Sequence, residues 1–419
     1  MRMRGAGRRA RLTRGLALLV IVVAALAGTP AHAASRDAIR DREYWLDDYG
    51  IRSAWSVTRG AGVTIAIIDT GVAGGITELR GAVIGGADFS GLGASDGQTP
   101  VGEDGQHGTL VASLAAGRGT GSNSGVIGAA PEASILAISV GFGQGAVDSD
   151  AQIAAAVTWA VDNGADVINM SLTRNTLDWP ESWDEAFLHA AENDVVIVAA
   201  AGNRGSGTVE VGAPATMPGV LTVGGVDENG AASWDASAQG ITIGVAAPSE
   251  RLVGVTPTGR DVTWAGTSGA TPIVAGIVAL VRAAHPDLDA ANVINRVVAT
   301  ARDAGPPGAD FTYGYGYVDA AAAVSTEVPA VEANPMGDLA EWVRINRRAD
   351  ATPVPAEIVV PTPEARRESR ASDPTGTLLP SVVTLQLVGI PVLVLLLFAV
   401  GGATLAVGAV RRFRPPRSR

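Results

Sequence analysis

Short strand patterns alternate with helical patterns through the middle of the chain, and this alternation restricts the fold more than any other feature. Apolar runs rich in β-branched residues indicate strands buried on both faces. These runs lie at residues 63–68, 135–140, 167–170, 195–200 and 220–226. Apolar residues recur at helical spacing at residues 107–116, 152–161, 181–192, 268–284 and 290–300. The order predicts an α/β fold in which helices cover both faces of a parallel sheet, with any site at the carboxyl ends of the strands.

Composition excludes several kinds of chemistry. The 419 residues include no cysteine, so disulfides, thiol nucleophiles and thiolate metal sites are ruled out. All 31 basic residues are arginine, which removes any mechanism that needs a lysine base or Schiff base. The formal net charge is −11, and the middle of the chain is more acidic still because arginines concentrate at the two ends. We therefore expect no nucleic-acid binding, which requires a basic face.

Residues 1–33 have the order of a secretory signal peptide. An arginine-rich leader precedes an apolar run at residues 16–26, and the small residues Ala31 and Ala33 supply a cleavage site. We expect cleavage after Ala33. The adjacent arginines at positions 8 and 9 leave a twin-arginine export route open, and an uncleaved anchor is the other alternative.

The C-terminal part has the pattern of a membrane anchor. Residues 387–410 carry no charge over a length that can span a hydrocarbon core, and five arginines follow in the tail, residues 411–419. Because positive residues stay on the cytoplasmic side, we expect a single-pass cell-membrane protein with a cytoplasmic tail and an extracytoplasmic domain. Residues 326–386 are rich in proline and acidic residues and predict an extended linker. Within it, residues 337–348 have the pattern of one short amphipathic helix, and the folded domain is expected at residues 34–325 with a short N-terminal extension.

Three residues have the positions of catalytic groups. Asp69 ends the first strand pattern, where a buried carboxylate is costly unless another group pairs with it. His107 begins the next helical pattern, whereas His189 and His285 are interpreted as incidental. Ser268 lies among small residues at the start of a helix, whose N-terminus stabilises nearby negative charge. The order Asp, His, Ser differs from the Ser, acid, His order of α/β-hydrolases, and a single histidine candidate without cysteine predicts no metal site.

The sequence around these residues resembles the subtilisin-like serine proteases, the S8 peptidases. Asp69-Thr70-Gly71, His107-Gly108-Thr109 and Gly266-Thr267-Ser268 match the three signature blocks of that family in order. Ala200-Ala201-Gly202-Asn203 matches a fourth block, and the resemblance extends over residues 44–325. It implies the subtilisin-like fold and a serine endopeptidase that hydrolyses peptide bonds through an Asp-His-Ser triad.

The resemblance also implies roles for individual residues. Ser268 would attack the peptide carbonyl, His107 would move the proton and Asp69 would orient His107. The Asn203 amide and the backbone N–H of Ser268 would hold the oxyanion. The residues implied to line the pocket for the side chain before the scissile bond are Ser171, Leu172, Thr173, Ala200, Ala201, Gly202, Arg204 and Gly212. Arg204 at the rim predicts a preference for uncharged side chains, tolerance of acidic ones and rejection of basic ones, unless it simply faces water.

Two positions depart from the family pattern. Gly269 replaces the usual larger residue after the nucleophile, which predicts a looser start of that helix, and Gln106 replaces the usual glycine before the histidine. The resemblance implies no cofactor. Structural calcium is common in the family, but the sequence assigns no ligands to it.

The order of export signal, subtilase domain, linker, span and basic tail is further similar to the mycosins, which are membrane-anchored subtilases associated with type VII secretion. The short stretch before the first strand is too small for a folded pro-domain, as in mycosins. Mycosins usually carry disulfides, so a general membrane-tethered subtilase stays open. The expected partners are protein or peptide substrates, the membrane and a type VII secretion complex. A catalytically idle scaffold in a membrane complex is the alternative from a different class, and the complete set of catalytic residue types argues against it.

Overall fold

The computed structural model describes residues 37–143 and 147–347. Its strands are β1 (Thr64–Asp69), β2 (Val83–Asp88), β3 (Ser134–Ser139), β4 (Val167–Met170), β5 (Val196–Ala200), β6 (Leu221–Val226), β7 (Ile243–Pro248), β8 (Leu252–Val255) and β9 (Asp261–Trp264). Its α-helices are α1 (Trp45–Asp48), α2 (Ile51–Ala54), α3 (His107–Ala116), α4 (Ser149–Asp162), α5 (Glu181–Glu192), α6 (Thr267–Ala284), α7 (Ala290–Ala299), α8 (Ala320–Ser325) and α9 (Leu339–Asn346). Helices α3 and α5 and strand β4 have the predicted bounds.

Seven strands form one parallel sheet in the order β2-β3-β1-β4-β5-β6-β7. The chain enters this sheet at β1, which lies between β3 and β4. From there β2 and β3 extend one side of the sheet, and β4 to β7 extend the other. In open α/β sheets, ligands bind where the strand order reverses in this way, at the carboxyl ends of the strands. Asp69, the last residue of β1, lies at that position.

Helices cover both faces of the sheet, because neighbouring side chains on a strand point to opposite sides. In β1, Ile65 and Ile67 are buried in a core that includes α3 and α6. Ala66 and Ile68 of the same strand are buried in a second core that includes α4 and α5. The predicted α/β fold with a parallel sheet between helical layers is therefore confirmed.

Four strands have no counterpart among the predicted ones, and their local patterns explain why. Strand β2 contains two adjacent glycines, and β7 contains a glycine and ends in proline, so both have weak strand propensity. Strands β8 and β9 form a separate antiparallel hairpin that pairs Leu252 with Trp264. Strand β9 is partly exposed, so no continuous apolar run marks it.

The folded domain continues beyond residue 325, where the sequence pattern placed its end. Residues 327–347 pack against the domain instead of forming an extended spacer. In this C-terminal strap, the Trp342 ring lies 4.3 Å from the Trp179 ring, centroid to centroid. Arg347 Nε donates to Asp184 Oδ2 at 2.8 Å. The linker prediction is wrong for these residues because Leu339, Trp342 and Val343 pack against a core formed by segments far away in the chain. Local composition does not reveal that core. The short helix predicted at residues 337–348 is confirmed as α9.

Within the part of the chain that the structure describes, only α6 is long and apolar enough to cross a membrane. Of its apolar window, 83% is buried inside the domain, where α6 is the central core helix. The expected signal peptide, the linker from residue 348 onward, the span at residues 387–410 and the basic tail lie outside the described residues.

Candidate active site

Asp69 and His107 form a close pair at the carboxyl end of β1. Nδ1 of His107 lies 2.9 Å from Oδ1 and 3.0 Å from Oδ2 of Asp69. The Asp69 side chain is 1% exposed and that of His107 is 28% exposed, so one partner is buried and the other reaches the surface. Because an ionised carboxylate only accepts hydrogen bonds, Nδ1 carries the proton and Nε2 has the free lone pair.

Small residues bring α3 directly against the end of β1. A Cβ atom on Gly108 would lie 2.3 Å from the Gly71 carbonyl oxygen and 3.1 Å from Asp69 Cβ, so only glycine is accommodated there. The Gly108 N–H donates to Thr70 Oγ1 at 3.0 Å, and the Thr70 N–H donates to Asp69 Oδ1 at 2.7 Å. The motifs Asp69-Thr70-Gly71 and His107-Gly108-Thr109 are therefore two halves of one packed junction that aims the histidine at the carboxylate.

The environment of His107 favours its protonated form. Burial by itself lowers the pKa of the imidazole, but the charge of Asp69 and its hydrogen bond to Nδ1 raise it, with a further contribution from Asp104. The net result is a pKa above the usual value of 6.5. A histidine in this setting can accept a proton at Nε2 and hold the resulting charge against the carboxylate.

Ser268 is the second residue of α6, and its backbone is held by Ser171. The hydroxyl of Ser171 donates to the Ser268 carbonyl oxygen at 2.9 Å. That carbonyl needs an external donor because Pro272, four residues further along the helix, has no N–H to offer it. Pro272 is thus the sixth residue of α6, beyond its first turn.

The Ser268 hydroxyl donates to a backbone carbonyl in this structure. Its Oγ lies 3.2 Å from the Ser171 carbonyl oxygen, to which it donates. Among the described residues, Ser268 has no hydrogen bond to His107. Catalytic hydrogen bonds are often absent or long without substrate and form as the complex tightens, and rotation about one side-chain bond redirects this hydroxyl.

Asn203 is oriented by the start of α6. Its Oδ1 accepts from the Thr267 N–H at 2.8 Å and lies 3.0 Å from Thr267 Oγ1. Because a backbone N–H can only donate, the oxygen of the amide must face Thr267, and Nδ2 is left to donate elsewhere. A Cβ atom on Gly266 would lie 3.2 Å from Nδ2, so the missing side chain keeps the space beside this donor open. Asn203 Nδ2 and the helix N-terminus at Ser268 thus form a pair of donors.

Comparisons with known proteins agree with this geometry. The sequence profile of the subtilase family of S8 peptidases matches residues 60–316. The chain belongs to the subtilase family. It is 37% identical to subtilisin DY of Bacillus licheniformis over 270 residues, which cover 63% of this chain and 92% of subtilisin DY. It is a subtilisin-like, serine-type endopeptidase.

Mycosin-like relatives are also present among the matches. The subtilase is 34% identical to Mycosin-1 of Mycobacterium tuberculosis over 342 residues, which cover 68% of this chain and 74% of Mycosin-1. The crystal structure of MycP1 from the ESX-1 type VII secretion system superposes with a TM-score of 0.62 at 31% identity. That alignment covers 73% of this chain and 91% of the MycP1 chain. The subtilase is therefore mycosin-like as well as subtilisin-like.

At Gly269, where this subtilase departs from the family pattern, two other side chains occupy the space that a larger residue would take. The sequence pattern does not indicate either of them. A Cβ atom on Gly269 would lie 2.4 Å from Leu252 Cδ1 and 3.3 Å from Trp264 Cζ2. The hairpin of β8 and β9 supplies both side chains. The expectation of a loose helix start is therefore wrong, because side chains from the hairpin occupy the space of the missing one. Gln106 has φ −71° and ψ −19°, an ordinary helical conformation that needs no glycine.

Hydrogen bonds connect two of the residues expected to line the specificity pocket, Ser171 and Gly202, to the start of α6. Strand β5 brings Ala200, and Ala201 and Gly202 follow it to the Asn203 loop. The Ser171 hydroxyl donates to the Ser268 carbonyl as described, and Leu172 and Thr173 follow it in the chain, half-buried. A Cβ atom on Gly202 would lie 2.4 Å from Thr208 Cγ2 and 3.3 Å from Thr173 Cγ2, so this glycine allows the loops to approach.

Two of the pocket residues have contacts that the sequence did not predict. A Cβ atom on Gly212 would lie 1.7 Å from the Arg174 carbonyl oxygen and 2.7 Å from Thr173 Oγ1. Glycine is therefore required at this position for backbone packing. The Arg204 guanidinium lies over the exposed Trp234 ring, 4.3 Å from its centroid, and this cation–π contact holds the charge at the loop surface.

The described part of the subtilase contains no group of three or more histidine or carboxylate side chains placed to hold a metal ion. No ligands for a structural calcium ion are therefore assigned among the described residues. His189 pairs with Asp162 through Nε2 at 2.8 Å, and His285 Nε2 contacts the Val324 carbonyl oxygen at 2.7 Å. Each of these two histidines has its own partner away from Ser268.

Proposed function

We propose that this subtilase hydrolyses peptide bonds with Ser268 as nucleophile, His107 as general base and then general acid, and Asp69 as the group that orients His107. The observation that carries the proposal is the double contact of His107 Nδ1 with the buried Asp69 carboxylate. It leaves Nε2 free to take the Ser268 proton after the hydroxyl turns away from the Ser171 carbonyl. Asn203 Nδ2 and the Ser268 N–H would then hold the oxyanion of the tetrahedral intermediate.

A fluorophosphonate probe tests the proposal directly, because only an activated serine is phosphonylated. We expect the full-length chain to label at Ser268, and both Ser268→Ala and His107→Ala to lose labelling and peptide hydrolysis. Ser56→Ala is the matched control, since the Ser56 hydroxyl is exposed and donates to the Ser53 carbonyl of the preceding helix α2. Wild-type cleavage by purified Ser268→Ala protein would refute the assignment. A folded wild-type protein that neither labels nor cleaves would favour the idle scaffold.

The same proposal includes a tether to the membrane, with the catalytic domain outside. It is supported by the uncharged segment at residues 387–410 and the arginines behind it. Protease added to intact spheroplasts should reach the domain and spare the tail, and the segment between residue 347 and the span should be cut first. A chain truncated before residue 387 should be soluble and active. A tail epitope that is accessible from outside the cell would overturn the orientation.

A role beside a type VII secretion complex follows from the mycosin-like character of the chain. It is supported by the similarity to Mycosin-1 and to MycP1 from the ESX-1 type VII secretion system. We expect the full chain, but not the soluble truncated form, to restore secretion in a cell that lacks this protein. Full restoration by the soluble form would show that the site of action is not the membrane, and would contradict this part of the proposal.

Substrate preference is proposed from Arg204, which directly follows Asn203 in the chain and whose guanidinium lies over the Trp234 ring. The side chain before the scissile bond should be uncharged, acidic side chains should be tolerated and basic ones rejected. Peptide-library profiling measures this preference, and Arg204→Gln should remove the tolerance of acidic residues while leaving cleavage after uncharged ones. A strong preference for basic residues would refute the proposal.

A further inference from the structure

Trp264 packs against the imidazole ring of His107. The two rings are arranged edge to face, with centroids 5.7 Å apart and an interplanar angle of 81°. Aromatic pairs favour this geometry and gain energy from it beyond the area they bury. The His107 side chain is therefore held by hydrogen bonds to the carboxylate and by ring packing against the indole.

The Trp264 indole packs against two glycines. A Cβ atom on Gly254 would lie 3.0 Å from Trp264 Nε1, and a Cβ atom on Gly269 would lie 3.3 Å from Trp264 Cζ2. Trp264 Nε1 is buried and has no hydrogen-bond partner among the described residues. A buried N–H without a partner is costly, so packing rather than hydrogen bonding keeps the ring here. The indole fits here because Gly254 and Gly269 both lack a side chain.

The hairpin that carries Trp264 is anchored on two sides. On one side, the Val255 N–H of β8 donates to Ser113 Oγ of helix α3 at 3.2 Å. On the other side, Arg42 of the N-terminal extension forms an ion pair with Asp261 and donates to Thr263 Oγ1 at 3.1 Å. Because β9 pairs only with β8 among the described strands, these contacts limit how far the hairpin can move. The indole is thus presented to His107 by a supported element.

We propose that Trp264 is a positioning residue that holds the His107 imidazole in the orientation in which Nδ1 faces Asp69 and Nε2 faces the nucleophile. This inference rests on the proposed role of His107 as the base. The carboxylate binds one edge of the ring, but the side chain remains part-exposed and its terminal torsion is broad. The indole narrows that freedom. Its removal lowers the fraction of productive ring orientations.

The test is a pair of substitutions in the full-length chain purified in detergent. Trp264→Leu should lower kcat by about twofold to tenfold, the range expected for loss of an aromatic pair, with KM unchanged. Trp264→Phe retains a ring edge and should recover most of the kcat. The rate of fluorophosphonate labelling should fall by the same factor as kcat, because the probe needs the base but carries no peptide beyond the reacting centre.

A second substitution displaces the indole without removing it. Gly254→Ala places a methyl group against Nε1 and should lower kcat and the labelling rate as Trp264→Leu does. Gly75→Ala is the matched control, since a methyl group there would meet no atom within 4 Å beyond its chain neighbours and its backbone is not left-handed. If Trp264→Leu does not fold, Gly254→Ala and Trp264→Phe decide the question.

Several results would overturn the inference. An unchanged kcat and labelling rate in Trp264→Leu and Gly254→Ala would do so. So would a raised KM with unchanged kcat, which would assign Trp264 to substrate contact instead. A Trp264→Phe protein as impaired as Trp264→Leu would show that the ring edge is not what matters. In each case the loss of labelling in His107→Ala shows separately whether the proposed function itself stands.

Discussion

The hydrogen bond from Ser171 to the Ser268 carbonyl offers the sharpest test of how the Ser268 backbone is held. Ser171 is 4% exposed, and its hydroxyl also accepts from Asn169 Nδ2 at 3.0 Å. Asn169 is fully buried, and its Oδ1 already has no partner among the described residues. Ser171→Ala would therefore remove the hydrogen-bond partner of the buried Asn169 amide and that of the part-buried Ser268 carbonyl.

The magnitude follows from those two groups. A buried polar group left unsatisfied costs about 1–3 kcal/mol, and two neighbouring groups together are expected to cost about 2–4 kcal/mol of unfolding free energy. Pro272→Ala restores an N–H four residues after Ser268, in position to donate to its carbonyl. In that background only the Asn169 amide loses its partner. The cost of Ser171→Ala should fall to about 1–2 kcal/mol, which gives a coupling of about 1–2 kcal/mol between positions 171 and 272.

The assay is urea unfolding of four proteins: the parent, Ser171→Ala, Pro272→Ala and the double variant. All carry Ser268→Ala, which prevents self-cleavage and leaves the carbonyl in place. The eight tryptophans of the chain lie between Trp45 and Trp342, so their fluorescence reports on the domain alone. The slope of each transition shows whether the surface exposed on unfolding stays constant across the cycle.

The reasoning would be refuted by an additive cycle. If Ser171→Ala costs the same with proline or alanine at position 272, the hydroxyl does not substitute for the missing helical N–H. A cost below about 0.5 kcal/mol, the usual range of surface substitutions, would show that neither buried group depends on Ser171. Active enzymes with the same substitutions should show a lower kcat for Ser171→Ala that Pro272→Ala partly restores.

Three further predictions concern the oxyanion donor, the pH dependence and the domain boundary. Asn203→Ala should lower kcat by about 10²–10³, and Asn203→Asp should lower it at least as much while keeping the acceptor that supports the helix, so near-normal hydrolysis by either variant would contradict the oxyanion role. Asp69→Asn should lower kcat by about 10⁴ and move the acidic limb of the kcat/KM profile to lower pH, because burial then lowers the pKa of His107 without the opposing carboxylate. In the parent, the raised pKa of His107 contributes stability that is fully present below about pH 6.5 and is lost as the pH rises through the pKa of the folded state. An acidic limb of the kcat/KM profile that stays at the same pH in Asp69→Asn would contradict the pairing of His107 with Asp69. Truncation after Ser325 should destabilise the domain by about 2–4 kcal/mol relative to truncation after Arg347, because it removes α9 and exposes the core surface against which Leu339 and Trp342 pack. Equal thermal inactivation of the two forms would contradict this packing.

Local patterns were sufficient for the parts of this protein that local chemistry governs. Apolar periodicity predicted α3, α5 and β4 with their bounds, and the strand-helix alternation predicted a parallel sheet between helical layers. The position of Asp69 at the end of β1 follows from the same pattern. The triad residues could be proposed because each of them lies in a short motif of three consecutive residues that can be recognised by itself. That only glycine is accommodated at position 108 became visible in the structure, as did the double contact of His107 with the carboxylate.

Only the tertiary structure decided the contacts between segments far apart in the chain. Trp264, Gly254 and Gly269 come together through a hairpin that no continuous apolar run marks, so the packing against His107 and the filled space at Gly269 had no local signal. The strap at residues 327–347 has the composition of a linker, yet Leu339 is buried and Trp342 and Val343 are partly buried, because a core that includes α5 lies within reach. A sequence pattern reports what each segment can bury. Which surface it is buried against depends on the sheet order, and that order appears only when the chain is folded.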